Sequence, residues 1–238
     1  MKHNPFKIVS DFEETVADYC GSPYAVATDS CTSAIFLCVK YWLMNNEVQK
    51  CRDQSRFQSH FRIGIGLRDW ITENYDSQKP AITIPSKTYI SPAMSILHAG
   101  AELKIDTSVK WSGIYQLKPT NIYDAAKRLT SGMYLPGSMM CLSFHIKKHL
   151  KLGKGGMILT DSLEARDWLR KASYEGRSRD KGIHEDNVEF AGWNFYMTPQ
   201  TAANGLALMQ NYPENVPDLP NSYRDLVTFE VFKNCKII

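Results

Sequence analysis

No stretch of this chain is apolar for long enough to cross a bilayer. The longest run, Ala34 to Val39, ends at Lys40, far short of the ~18 residues that a membrane helix needs. The opening Met1-Lys2-His3-Asn4-Pro5 lacks the apolar core of a secretory leader. A soluble, cytoplasmic protein is the expectation. Charge of one sign is also scarce: 28 Lys plus Arg stand against 25 Asp plus Glu, a net +3, too weak a field to demand nucleic acid or an anionic membrane as partner. The six cysteines (Cys20, Cys31, Cys38, Cys51, Cys141, Cys235) contain no Cys-x-x-Cys pair. They are too scattered for the disulfide framework of a small secreted domain, so they are read as reduced thiols, and no metal is assigned. Internal repeats and low-complexity tracts are absent. Gly64 and Gly66 begin a dinucleotide-like glycine pattern, but no third glycine follows at the required place.

What is present is a globular composition, 43% hydrophobic and 22% charged over 238 residues, enough to bury one large core with at most a small appendage. Ser10 and Glu13 have the spacing of a capping box, and Phe12, Val16 and Tyr19 follow at helical intervals, which predicts a helix over Asp11–Tyr19. Tyr24–Thr28 reads as a buried strand, and Asp29-Ser30-Cys31-Thr32 as a turn feeding a helix through Leu43. Asn45 to Pro80 is polar and basic, with one plausible helix around Leu67–Tyr75, and is read as an excursion from the core. Alternation then resumes: strand Ala81–Pro85, helix Ser91–His98 stopped by Gly100, and strands Glu102–Asp106 and Asn121–Asp124. Strands at Met139–His145 and Gly156–Thr160 precede a helix over Leu163–Ala172 capped near Asp161, and Pro199 opens a last helix through Met209.

The most unusual segment is the loop from Ser143 to Gly156, which crowds Lys147, Lys148, Lys151 and Lys154, two histidines and three glycines between apolar strands. Alone it is a solvated basic loop, a phosphate or nucleic-acid contact, or the seat of a catalytic lysine. Partners for the third reading stand elsewhere. Asp124 ends a strand before Ala125-Ala126, and Thr32 opens a helix after a strand. An α/β sheet gathers such strand ends into one crevice. A lysine, a carboxylate, a helix N-terminus and an aromatic face are the requirements of pyridoxal 5'-phosphate.

In chain order, Phe12-Glu13-Glu14 with Tyr19, Tyr24-Ala25-Val26-Ala27 with Thr32, Pro85-Ser86-x-Thr88-Tyr89, Asp124-Ala125-Ala126, Ser143-Phe144-His145 with Lys148, and Gly192-x-Asn194 with Met197-Thr198 form one constellation. It resembles the pyridoxal-phosphate-dependent nucleotide-sugar aminotransferases of the DegT/DnrJ/StrS group. The resemblance implies an α/β fold, three layers αβα around a mostly parallel central sheet, the large domain of the aspartate-aminotransferase type with the C-terminal small domain largely missing. Residues 1–212 would be that large domain, with 45–80 inserted, and 213–238 a short remnant. The resemblance makes Lys148 the Schiff-base lysine and proton carrier, Asp124 the partner of the pyridine nitrogen, and Tyr89 the ring-stacking aromatic. Thr32, Ser33 and Ser143 would hold the phosphate, Lys127 would lie near the cofactor's phenolic oxygen, and Asn194 would reach the phosphate of a neighbouring subunit, which implies a homodimer. The plain alternatives are a core aromatic for Tyr89, a strand residue for Ser143 and a turn former for Asn194.

The implied activity is transfer of an amino group from glutamate to a nucleotide-linked keto sugar, in polysaccharide biosynthesis, with neither nucleic acid nor membrane as partner. A sugar dehydratase of the same group would carry histidine in place of Lys148. Cys31, Lys127, Lys154 and Tyr196 depart from the residues usual in the group. These departures, and the short stretch from Asn211 to Ile238, motivate a second reading: a catalytically inactive relative that binds the cofactor or acts as a scaffold. The 45–80 excursion is expected to cover part of the crevice or dimer surface.

Overall fold

Strand residues that alternate between two separate apolar clusters set the architecture. In the computed structural model, which describes residues 4–53 and 79–238, strand β1 (Tyr24–Thr28) sends Val26 to one cluster and Ala25 and Ala27 to the other. Strand β6 (Met139–Ser143) divides Met139 and Cys141 from Met140 and Leu142 in the same way, and β7 (Gly156–Thr160) divides Ile158 from Met157 and Leu159. Successive side chains of a strand point to opposite faces, so both faces of this sheet are buried. Helices α2 (Cys31–Asp53), α3 (Ile90–Ala99) and α4 (Leu163–Ala172) cover the first face. Helices α1 (Lys7–Cys20) and α5 (Pro199–Met209) cover the second. The result is the expected three-layer αβα arrangement.

The remaining strands are β2 (Ala81–Pro85), β3 (Glu102–Asp106), β4 (Tyr115–Leu117), β5 (Ile122–Asp124) and β8 (Lys236–Ile237). Five strands pair in the order β1-β7-β6-β5-β4 and three in the order β2-β3-β8. A bridge between Thr83 and Lys118 joins the two groups, with N···O distances of 2.7 and 3.0 Å. Relative to β6, strands β1, β2, β3, β5 and β8 run the same way, and only β4 and β7 of the described strands oppose it. This is the mostly parallel sheet implied by the resemblance. The C-terminal ends of β1, β2, β5 and β6 consequently meet at one rim, where an open α/β sheet forms its binding crevice.

Several boundaries differ from expectation. Helix α1 starts at Lys7, because Val9 extends its buried stripe and Asn4 Oδ1 accepts the Phe6 N–H at 2.9 Å. Ser10 and Glu13 therefore sit inside the helix, and the capping box does not form. Helix α2 runs to Asp53 rather than Leu43. Ser162, not Asp161, caps α4, accepting the Ala165 N–H at 3.1 Å. Strand β4 was not foreseen, and neither was β8, which pairs Lys236-Ile237 parallel to β3. The helix expected at Leu67–Tyr75 and the covering role of the excursion fall outside the described residues.

Glu13, freed from capping, closes the edge of the sheet. β1 is an edge strand, and its outer backbone groups need partners. Glu13 Oε1 accepts the Ala27 N–H at 2.8 Å, and Arg179 donates to the Ala27 carbonyl at 3.2 Å. Arg179 also pairs with Glu13 at 2.8 Å, and Arg170 reaches its other oxygen at 3.0 Å. At the crevice end of β7, Gly156 pairs with both Thr28 and Ser143. A Cβ there would lie 2.4 Å from the Ser30 carbonyl carbon and 2.5 Å from the Cys31 nitrogen. The backbone that opens α2 is thus pressed directly against β7, which only glycine permits.

Both features yield stability predictions. Arg179→Met leaves Glu13 as a buried charge short of a partner and should cost about 3–5 kcal/mol in urea unfolding. Gly156→Ala should cost about 1–3 kcal/mol by the same measurement, since the backbone it meets cannot rotate away as a side chain can. Wild-type midpoints in both variants would contradict these packing assignments.

Candidate active site

The rim gathers a cavity of about 520 Å³. Asp124 supplies its floor. It ends β5, is 5% exposed, and both its oxygens are engaged: Oδ1 accepts the Ala126 N–H at 2.8 Å and Oδ2 accepts the Tyr115 hydroxyl at 2.9 Å. Thr88 in turn donates to the Tyr115 hydroxyl at 2.8 Å, so a Thr88–Tyr115–Asp124 chain fixes the carboxylate. Burial pushes the Asp124 carboxyl above its usual range, while the Ala126 N–H, Tyr115, Lys148 and Lys127 pull it back. The carboxylate is oriented but short of positive charge: among the described residues it makes no ion pair.

Lys148 lies across the same cavity. The turn after β6 places it, with its N–H bonded to the His145 carbonyl at 2.8 Å and Leu150 buried beneath the loop. Its Nζ donates to the Tyr223 hydroxyl at 2.8 Å. Burial lowers the pKa of this amine, and Asp124 is the foremost group opposing that shift. Lys127 is only 6% exposed; its Nζ donates to the Pro220 carbonyl and lies 4.2 Å from the centroid of the Tyr223 ring. Burial, then the neighbouring Lys148, lowers its pKa.

At the opposite wall, α2 begins at Cys31 and turns Ser30, Cys31 and Thr32 toward the cavity. Unpaired N–H groups at such a start favour an anion. Tyr89, 54% exposed and set just before α3, and Ser143 at the end of β6 complete the lining. The structure therefore brings Thr32, Tyr89, Asp124, Lys127, Ser143 and Lys148 around one cavity. Ser33 is not among its lining residues: its hydroxyl turns to Asp29 Oδ1 at 2.6 Å. Asn194 also lies apart, with its amide donating to Glu175 at 2.9 Å. Lys154 lines the cavity and pairs with Asp29 at 2.8 Å.

Sequence reasoning missed Tyr115, because the three-residue β4 gives no periodicity, and missed the segment Leu219–Tyr223, because nothing local distinguishes it from a polar tail. The signal that would have found Tyr115 is its register: it stands directly opposite Asp124 in the β4–β5 pair.

A buried carboxylate, an amine of lowered basicity, a helix start for an anion and an exposed aromatic face fit the chemical needs of pyridoxal phosphate. Among the described residues, no helix is long and apolar enough to cross a membrane. In sequence, the chain is 27% identical over 218 residues to the spore coat polysaccharide biosynthesis protein SpsC of Bacillus subtilis, covering 83% of this chain and 55% of SpsC. In fold, it resembles AtS13 from Actinomadura melliaura, with a TM-score of 0.61 at 17% identity over 86% of this chain and 60% of that one. It also resembles PseC of Helicobacter pylori, an aminotransferase involved in the biosynthesis of pseudoaminic acid, with a TM-score of 0.56 at 14% identity over 90% of this chain and 64% of PseC. The chain thus spans only about half the length of the curated relatives it matches. The family model described as the DegT/DnrJ/EryC1/StrS aminotransferase family matches residues 4–49 and 122–218, more than half of the sequence and including Thr32, Asp124 and Lys148. The chain belongs to that family.

Proposed function

We propose that the crevice binds pyridoxal phosphate and serves an aminotransferase reaction that moves an amino group from glutamate to a nucleotide-linked keto sugar. One observation carries the reading: a buried, oriented carboxylate and a lysine amine face the same cavity, Asp124 on β5 and Lys148 after β6. When bound, the cofactor supplies an electron sink that lets an amino group be exchanged for a carbonyl oxygen. The chain's own groups have distinct tasks. Asp124 holds a proton on the ring nitrogen. That opposite charge would answer the cost of burying the carboxylate. Lys148 would hold the cofactor covalently and move the proton at the substrate carbon, and its lowered basicity would keep more of the amine neutral near pH 7.

Thr32 and Ser143, with the first N–H groups of α2, would hold the phosphate, and Tyr89 would offer an aromatic face to the ring. Asn194, on the surface away from this cavity, serves the site of a second copy, so the working unit is a homodimer. The sugar and its nucleotide are proposed from the family and from the polysaccharide and pseudoaminic acid contexts named for SpsC and PseC.

Purified protein given pyridoxal phosphate should develop a visible absorbance band that is missing in Lys148→Ala and that glutamate bleaches. An unchanged band in Lys148→Ala removes the central residue from the proposal. A band that glutamate and a panel of nucleotide keto sugars leave untouched favours the binding or scaffolding relative instead. Asp124 gives a second test with a defined sign. Its folded pKa is raised, so the folded chain binds that proton more tightly than the unfolded chain. This contribution is greatest at acid pH and is lost as pH rises above the ordinary 3.8 through the folded value. Without cofactor at pH 7, Asp124→Asn should therefore melt at or above the wild-type temperature, by about 2–4 °C for each kcal/mol recovered. The rise that pyridoxal phosphate gives the wild type should vanish in the variant. A variant stabilised by the cofactor as strongly as wild type would sink the assignment.

A further inference from the structure

Four lysines line the cavity, Lys127, Lys147, Lys148 and Lys154, but of these only Lys127 and Lys148 bring their amines to one phenol, and only one amine can be linked to one aldehyde. We propose that the segment Asp218–Asp225 is a strap that sorts them, with Tyr223 as a positioning residue: its ring and the Pro220 carbonyl hold Lys127, and its hydroxyl holds Lys148. The family match ends at residue 218, so Tyr223 lies outside the family's matched sequence. The inference takes its catalytic meaning from the cofactor reading above.

The strap is tied at both ends. Asp218 receives two hydrogen bonds from Arg128, at 2.7 and 2.6 Å, and one from Ser112 at 3.1 Å. The Leu219 N–H reaches the Lys127 carbonyl at 2.9 Å. At the far end, the Leu226 N–H bonds to the Ser86 carbonyl at 2.8 Å and its side chain is fully buried. Between these ties, Asn221 donates to the Lys87 carbonyl at 3.0 Å, and Tyr223 lies 5.7 Å from the Tyr89 ring.

The two amines meet different parts of the same phenol. Lys127 Nζ lies over the ring, 4.2 Å from its centroid, and donates to Pro220. An aromatic face and a carbonyl both favour the ammonium form, which is not nucleophilic, and so oppose the burial and the nearby Lys148 charge that lower the basicity of Lys127. Lys148 Nζ lies farther from the centroid, at 5.6 Å, and meets the hydroxyl at 2.8 Å instead. A hydroxyl can accept from the ammonium or donate to the neutral amine, so this contact does not trap Lys148 in its charged form. Sorting therefore comes from geometry: one lysine is held by groups that only accept, the other by a group that can do either.

The test is competitive acetylation of the full chain with acetic anhydride, without cofactor, read by peptide mass spectrometry. In each modification the neutral amine attacks a carbonyl, an acetate leaves and the amine's proton passes to solvent. In the wild type Lys148 should react about tenfold faster than Lys127, the factor expected from a cation–π contact and a charge-assisted hydrogen bond worth ~1.4 kcal/mol together. Tyr223→Leu removes ring face and hydroxyl while keeping bulk and leaves the Pro220 carbonyl in place, and should raise the Lys127 rate about threefold. Tyr223→Phe keeps the face and should leave Lys127 slow. Circular dichroism checks that the variants fold, and Tyr223→Gln replaces Tyr223→Leu if that variant does not. Equal wild-type rates, or an unchanged Lys127 rate without the ring, would overturn the strap's role. A parallel arm treats the protein with pyridoxal phosphate and borohydride and maps the fixed adduct. Adduct at neither lysine with the acetylation pattern intact defeats the cofactor reading and leaves the strap standing. Adduct at Lys148 in every variant with flat acetylation rates does the reverse.

Discussion

The carboxylate of Asp124 is the constraint around which the crevice is organised. A charge buried at a strand end needs a partner for each oxygen, and here the partners come from different elements: a backbone N–H of the following turn and a phenol from β4, itself fixed by Thr88. Those contacts orient the group without neutralising it. Of the lysines that line its cavity, Lys127 and Lys148 bond to oxygen atoms of the strap rather than to the carboxylate. On the proposed reading, the site is thus preorganised for a cation that arrives with its ligand, as catalysis by fixed dipoles and charges requires.

The same division of labour recurs across the rim. Rigid strand ends carry the groups whose position matters most, Asp124 and Ser143. The α2 start is pinned by the close approach of Gly156, and the longer connections carry Tyr89, Lys148 and the strap. An α/β sheet makes this possible because its parallel strands finish together, and because helices on both faces leave the rim open to a ligand.

Much of this was legible in the sequence, for physical reasons that differ by residue. Tyr24–Thr28, Ala81–Pro85 and Gly156–Thr160 are short runs rich in β-branched and apolar residues, bounded by turn formers, and they became strands at those boundaries. Glu13 was misread, because Ser10 and Glu13 satisfy the local rule for a helix start while the tertiary need of an open strand edge claimed the glutamate. Asp124, Lys148 and Thr32 could be named from motif order, whereas Ser33 turned to Asp29, a choice made by a local hydrogen bond that composition does not encode. Tyr115 and Tyr223 were invisible because their roles come from register and from a long-range crossing of the tail. Neither leaves a periodic trace.

The closure of the β1 edge by Glu13 and Arg179 reaches beyond local stability. A strand whose outward amide and carbonyl are already satisfied by buried side chains offers no template for another polypeptide to add itself in register. At Ala27 the margin is closed to pairing of this kind, and that part of an otherwise sticky boundary is made inert.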